Sequence, residues 1–131
     1  MTGLDTNVLV RYVMQDDAGQ SPKATQLVES LTAEAPGFVS LVSVVELVWV
    51  LSSCYGLTRE QLAQVLDVLL RTKEMIVDRA DQVLRALRVF KSGSADFADC
   101  LIERTATEAG CGATMTFDAA AAKTAGMTLI R

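Results

Sequence analysis

Histidine is absent from the chain, which removes serine–histidine and cysteine–histidine hydrolases, imidazole metal sites and histidine acid–base mechanisms together. Whatever chemistry the protein performs must use carboxylates. Cysteine is scarce: Cys54, Cys100 and Cys111 are an odd number at unpatterned spacings, so they read as reduced structural residues without a zinc site. Long apolar runs are missing too. The greasiest stretch, Leu41 to Leu51, is interrupted by Ser43 and Glu46 and is too short to span a bilayer, and the amino terminus lacks a basic segment followed by an apolar one. The expectation is a cytoplasmic protein with no membrane partner. Positive charge is outnumbered, 12 Lys and Arg against 16 Asp and Glu, and the net charge of −4 argues against a general nucleic-acid-binding surface. If four acids were gathered around a metal ion, the rest would balance the cations, and the negative excess would be the property of a site.

What is present suffices for one core. Half of the 131 residues are apolar, and no linker, repeat or low-complexity run interrupts them, so a single domain over residues 1–131 is expected. The chain opens with Thr2-Gly3-Leu4-Asp5-Thr6-Asn7-Val8-Leu9-Val10, an acid between two apolar runs. If Gly3-Leu4 ends a buried strand and a helix runs from Thr6 to Met14, Asp5 lies at the carboxyl end of a strand, where open α/β sheets bind ligands. The plainer alternative is that Asp5 or Thr6 only caps the helix.

Gln15 to Gln20 reads as a loop with Asp16 and Asp17 solvated, followed by Ser21-Pro22 as N-cap and first turn of a second helix. Phe38 to Leu41 is a short β-prone strand. Ser43-Val44-Val45-Glu46 then has the form of a capping box, which would occupy Glu46 at the start of a helix. From Leu47 to Leu51 that helix is apolar on every side, so it should be covered all round, with Trp49 either a subunit-interface anchor or core. Thr58 to Gln61 caps another helix, Met75-Ile76-Val77 is a third strand, and Asp81 to Lys91 is amphipathic with Arg85 and Arg88 outward. A helix from Ser94 to Arg104, with Ser94 near its cap, places Asp96 and Asp99 on one face. Ala113 to Thr116 is a fourth strand, ended by Phe117-Asp118 before a helix from Ala119 to Ala125. Asp118 thus repeats the setting of Asp5, and Met127 to Ile130 is the last strand.

Strands alternating with helices predict a parallel sheet covered on both faces. On that plan Asp5, Glu46 and Asp118 converge at the carboxyl edge, and Asp99 can join them. Carboxylates about 5 Å apart repel by roughly 3 kcal/mol per pair at an effective dielectric near 20, so a cation, a proton or a basic partner must offset them. All-oxygen donors suit Mg²⁺ or Mn²⁺, which can bind phosphate oxygens and acidify a water, and this favours metal-dependent phosphodiester hydrolysis.

The stretches LDTNVLV at Leu4–Val10, SVVELVWVL at Ser43–Leu51, ADFADCLIERTA at Ala95–Ala106 and TFD at Thr116–Asp118 resemble the PIN domain, specifically VapC-type ribonuclease toxins of bacterial toxin–antitoxin pairs. The resemblance implies a three-layer α/β/α sandwich with a parallel five-stranded sheet ordered 3-2-1-4-5. It implies Asp5, Glu46, Asp99 and Asp118 as an acidic quartet around Mg²⁺ or Mn²⁺, Asp96 as an accessory acid, Thr116 as a supporting hydroxyl, and Thr6 and Asn7 as positioning groups. The activity implied is that of an endoribonuclease acting on RNA, homodimeric and neutralised by a cognate antitoxin whose basic or aromatic side chains enter the acidic site. Ala119-Ala120-Ala121-Ala122 lacks the basic residues often found there, which bears on substrate grip.

Other carboxylate folds fit worse. A haloacid-dehalogenase-type phosphatase needs an Asp where Asn7 stands, and a receiver domain needs an acidic pair after strand one and an acceptor after strand three. The rival from another class is a PIN-like protein-binding module with little or no catalysis.

Overall fold

In the computed structural model, which describes residues 1–131, the chain forms two compact units, Met1–Asp78 and Arg79–Arg131. The first unit contains β1 (Thr2–Gly3), α1 (Thr6–Met14), α2 (Gln20–Glu29), β2 (Gly37–Val39), α3 (Leu41–Ser53), α4 (Arg59–Arg71) and β3 (Met75–Val77). Its strands make a parallel sheet in the order β1-β2-β3, with Gly3 beside Phe38 and Phe38 beside Ile76. The strands lie parallel because each is followed by a helix that returns the chain to its starting edge. Leu4, Leu9, Val10, Val39, Val44, Leu47, Leu51, Leu62, Leu66 and Leu69 are buried and form the core. Gly37 serves the packing beneath Asp5: a Cβ there would stand 2.9 Å from side-chain carbons of both Leu4 and Leu31.

The second unit contains α5 (Ala80–Ser92), α6 (Phe97–Glu108), β4 (Met115–Thr116), α7 (Ala119–Thr124) and β5 (Thr128–Leu129). α5 packs on α6. Phe90 and Phe97 meet edge to face with ring centroids 5.8 Å apart, a geometry that sets the positive edge of one ring on the negative face of the other. β4 and β5 pair in parallel, Met115 beside Thr128 and Thr116 beside Leu129.

The fold is therefore α/β with seven helices and parallel strands, but the five-stranded sheet ordered 3-2-1-4-5 is not formed. The strands make a three-stranded and a two-stranded sheet instead. β1 and β4 have two residues each. Successive amides of a strand point to opposite edges, and those of Thr2 and Leu4 are both donated to the β2 side, to Pro36 and Phe38 carbonyls. Little backbone remains on the other edge of β1 to carry another ladder.

Helix starts also differ from expectation. α2 begins at Gln20 with Gly19 in the N-cap position, and Asp17 Oδ1 accepts the amides of Gly19 and Gln20 just ahead of the helix. Ser21 is buried, with its hydroxyl accepting from the Asp17 amide. Asp16 is not merely solvated either: it pairs with Arg11 and accepts the Tyr55 hydroxyl. α6 begins at Phe97 rather than at Ser94, with Asp96 in the N-cap position. By contrast, Thr58 and Gln61 form the reciprocal capping box at α4. No helix is long and apolar enough to cross a membrane.

Candidate active site

In the first unit, the end of β1 delivers Asp5 with extended backbone to the N-cap of α1, where its Oδ1 accepts the Thr6 amide at 2.8 Å. Capping engages one carboxylate oxygen and fixes the direction of the other. Thr6 is only 8% exposed, and its hydroxyl donates to Glu46 Oε1 at 2.8 Å. One residue thus ties the helix that Asp5 caps to the acid on α3. Asn7 is exposed and lines a groove of about 270 Å³ between α1 and α2.

Glu46 is free to take this bond because it does not form the expected capping box. Ser40, not Ser43, is the N-cap of α3, and its hydroxyl accepts the Ser43 amide at 3.2 Å. Both serines lie one turn from a suitable amide, and the earlier one prevails because β2 ends at Val39. Glu46 therefore sits in the second turn, exposed, with Trp49 three residues on. α3 is not covered all round: Val42 and Trp49 are exposed, Trp49 at 64%, so Trp49 is not core.

In the second unit, Asp96 and Asp99 occupy the start of α6, and Asp118 the N-cap of α7. Asp118 Oδ1 accepts the amides of Ala120 and Ala121 at 2.8 and 3.4 Å, while Thr116 Oγ1 accepts the Asp118 amide at 3.0 Å. Asp99 is half-buried between Phe97, Cys100 and Leu101 in sequence, all of them buried. Its carboxyl is pushed above the ordinary carboxylate range, first by burial and then by the negative charges of Asp96 and Asp118. These acids therefore sense one another. Ile102, which the pattern places inside, is exposed.

The acids are thus distributed as Asp5 and Glu46 in the first unit and Asp96, Asp99 and Asp118 in the second. No group of three or more Asp, Glu, His or Cys side chains stands close enough to hold a metal ion. The donor chemistry nevertheless suits a hard divalent cation, since every candidate ligand is a carboxylate. None of the three cysteines forms a disulfide; Cys100 is buried, and Cys54 and Cys111 are exposed. Sequence reasoning passed over the side chain beside Asp118: Phe117 is 82% exposed, and the only signal was its alternation with Thr116 along a short strand.

Parallel strands that run into helices through Asp5 and Asp118 define an α/β protein with carboxylates at its strand ends. More narrowly, the chain belongs to the PIN domain family, whose sequence model matches residues 4–127. Members of that family are generally nucleases and typically use divalent metal ions. No curated protein matches the sequence.

Proposed function

We propose that the protein is a Mg²⁺- or Mn²⁺-dependent endoribonuclease of the VapC type, the toxin of a toxin–antitoxin pair, acting as a single PIN domain in the cytoplasm. Asp5, Glu46, Asp99 and Asp118 would hold the metal, with Asp96 as an accessory acid. The observation that carries this reading is the Asp99 carboxyl, held up by burial and by the charges of Asp96 and Asp118. Such an arrangement costs the free protein stability and is offset when a cation binds. When bound, the metal would polarise a phosphodiester and acidify the attacking water.

The remaining residues act by positioning. Thr6 holds Glu46 by donating its hydroxyl. Thr116 fixes the Asp118 backbone and the α7 amides orient the Asp118 carboxylate, so the ligand atoms are preorganised before metal arrives. Asn7 would contact substrate from the first turn of α1. A cognate antitoxin would meet the same repulsion with a basic side chain, since a guanidinium–carboxylate pair satisfies it as a cation does. Val42 and Trp49, exposed on α3, would be covered by a second subunit in a homodimer.

Incubating antitoxin-free protein with structured RNAs and Mg²⁺ or Mn²⁺ tests the enzyme reading against a PIN-like binding module. Cleavage that stops with EDTA and is lost in Asp99→Asn is expected. Cleavage that survives either change would overturn it. A monomeric mass by light scattering at micromolar concentration would remove the homodimer.

A further inference from the structure

Acids outnumber cations in the chain, yet the only charged side chains lining the groove between α1 and α2 are basic. This cleft of about 270 Å³ is bordered by Asn7 and Arg11 from α1 and by Gln20 and Lys23 from α2. Asn7 and Arg11 are four apart, so they share one face of α1 with about 6 Å of rise between them. Gln20 and Lys23, three apart, share a face of α2 in the same way. Val8 and Ala24 add apolar wall. A cleft with charge of one sign against low-dielectric walls focuses its field on an incoming counter-charge.

Arg11 is oriented without being neutralised. Its Nε donates to Gln20 Oε1 at 2.8 Å and its Nη1 to the Tyr55 hydroxyl at 3.3 Å. The contact with Asp16, at 3.4 Å, joins side chains that are 25% and 40% exposed, a pair that solvent screens strongly. Asp16 is also drawn to Tyr55, whose hydroxyl donates to its Oδ2 at 2.8 Å, and Asp17 is spent on the amides of Gly19 and Gln20. Nη2 has no acceptor within the protein. A guanidinium fixed by Gln20 and Tyr55 thus keeps two N–H donors for a ligand. Lys23 is exposed and forms no ion pair.

Asn7 ties the groove to the carboxylates, because it lies two residues beyond Asp5 in the first turn of α1. A chain bound through a metal at Asp5 and Glu46 reaches Arg11 by following α1 for about one turn. The sign of the charge selects that chain. A protein partner that satisfies the two acids must bring positive charge, which Arg11 and Lys23 would repel. RNA meets a metal at the acids and the cations in the groove with one chemical group, the phosphate that each nucleotide repeats.

We propose that the α1–α2 groove is a phosphate-binding track, in which Arg11 and Lys23 hold the backbone of single-stranded RNA that flanks the phosphodiester at Asp5. This rests on the nuclease reading above. Binding through such a track is tolerant of sequence and falls as salt is raised.

Equilibrium binding of a labelled oligouridylate to the Asp99→Asn protein, across a series of salt concentrations, tests it. Lys23→Gln should lower the slope of log K against log salt by about 0.7, the value for one phosphate of a single strand, which is about fivefold in affinity at 0.1 M salt. Lys23→Arg should keep the parent slope. Lys73 lies between α4 and β3, outside the groove, so Lys73→Gln makes the same change in net charge and should bind as the parent does. In the cleaving protein the Lys23→Gln loss should appear in KM and not in kcat, with an unchanged melting temperature because the side chain is exposed. Equal binding by Lys23→Gln and the parent, with metal-dependent cleavage intact, overturns the track and leaves the nuclease reading standing. Equal losses in Lys23→Gln and Lys73→Gln reduce the effect to net charge and also overturn it. A parent that neither binds nor cleaves RNA overturns both readings. Displacement of the oligonucleotide by a glutamate-rich peptide at equal charge concentration assigns the groove to an acidic protein partner and overturns the proposal.

Discussion

Burial and two like charges all oppose the ionisation of Asp99. A carboxyl with a raised pKa in the folded state costs stability when ionised, and the cost fades as pH falls through that pKa. Asp99→Asn should therefore raise the melting temperature of the EDTA-treated protein at neutral pH. The gain should shrink as the pH is lowered into the range where Asp99 takes up its proton. A loss of stability at pH 7 would mean that Asp96 and Asp118 do not press on it. Thr6 presents the opposite case, a neutral group whose one hydrogen bond orients an acid. Replacing it with Val keeps the branched shape and removes the donor, so cleavage or metal affinity should fall about 10–100-fold, with Thr6→Ser near wild type. Both roles were partly legible in the sequence: the acids stood out by type and position, whereas the Thr6–Glu46 bond joins residues forty apart, a relation only the fold creates.

At the scale of elements, α3 decides how much of Glu46 is available. With Ser40 as its N-cap, Ser40→Ala should cost about 1 kcal/mol of stability, measurable as a shift in a denaturant midpoint with unchanged slope, while Glu46→Ala should leave the cap intact. Were Ser43 the cap, as the S-x-x-E spacing suggests, Glu46→Ala would lose part of it. The start of α3 was misplaced because Ser40 and Ser43 both satisfy the local rule, and the choice depends on where β2 stops. α1 and β3 were legible to the residue because their punctuation is unambiguous: Asp5 caps α1, Gln15 leaves it in a left-handed conformation with φ of 52°, and an unbroken apolar run defines β3. β4 and β5 are shorter than the apolar runs that announce them, since hydrophobicity marks a candidate strand and only a paired neighbour makes it one.

For the whole molecule, the question is whether the acids act as one set. Mg²⁺ or Mn²⁺ at a hundredfold excess over its Kd should add about 2.7 kcal/mol to stability, seen as a rise in melting temperature, and Asp5→Asn should diminish the rise. No shift at millimolar metal would mean that the carboxylates do not form a single cation site in the free protein. The family was legible because its motifs lie in order along nearly the full length, and the matched span, residues 4–127, includes all of them. The sheet was not, because strand pairing depends on hydrogen bonds between segments far apart in sequence, and the short β1 and β4 do not carry the ladder that the family pattern implies.

Trp49 is the only tryptophan in the chain, lies largely in solvent and stands three residues beyond Glu46 on α3, so its indole shares a helix face with that carboxylate. The protein thus carries a built-in optical probe. Emission from the free chain should have the long-wavelength maximum of a hydrated indole, and a second subunit or an antitoxin that settles on this face should shift it to the blue, allowing association to be followed without any label.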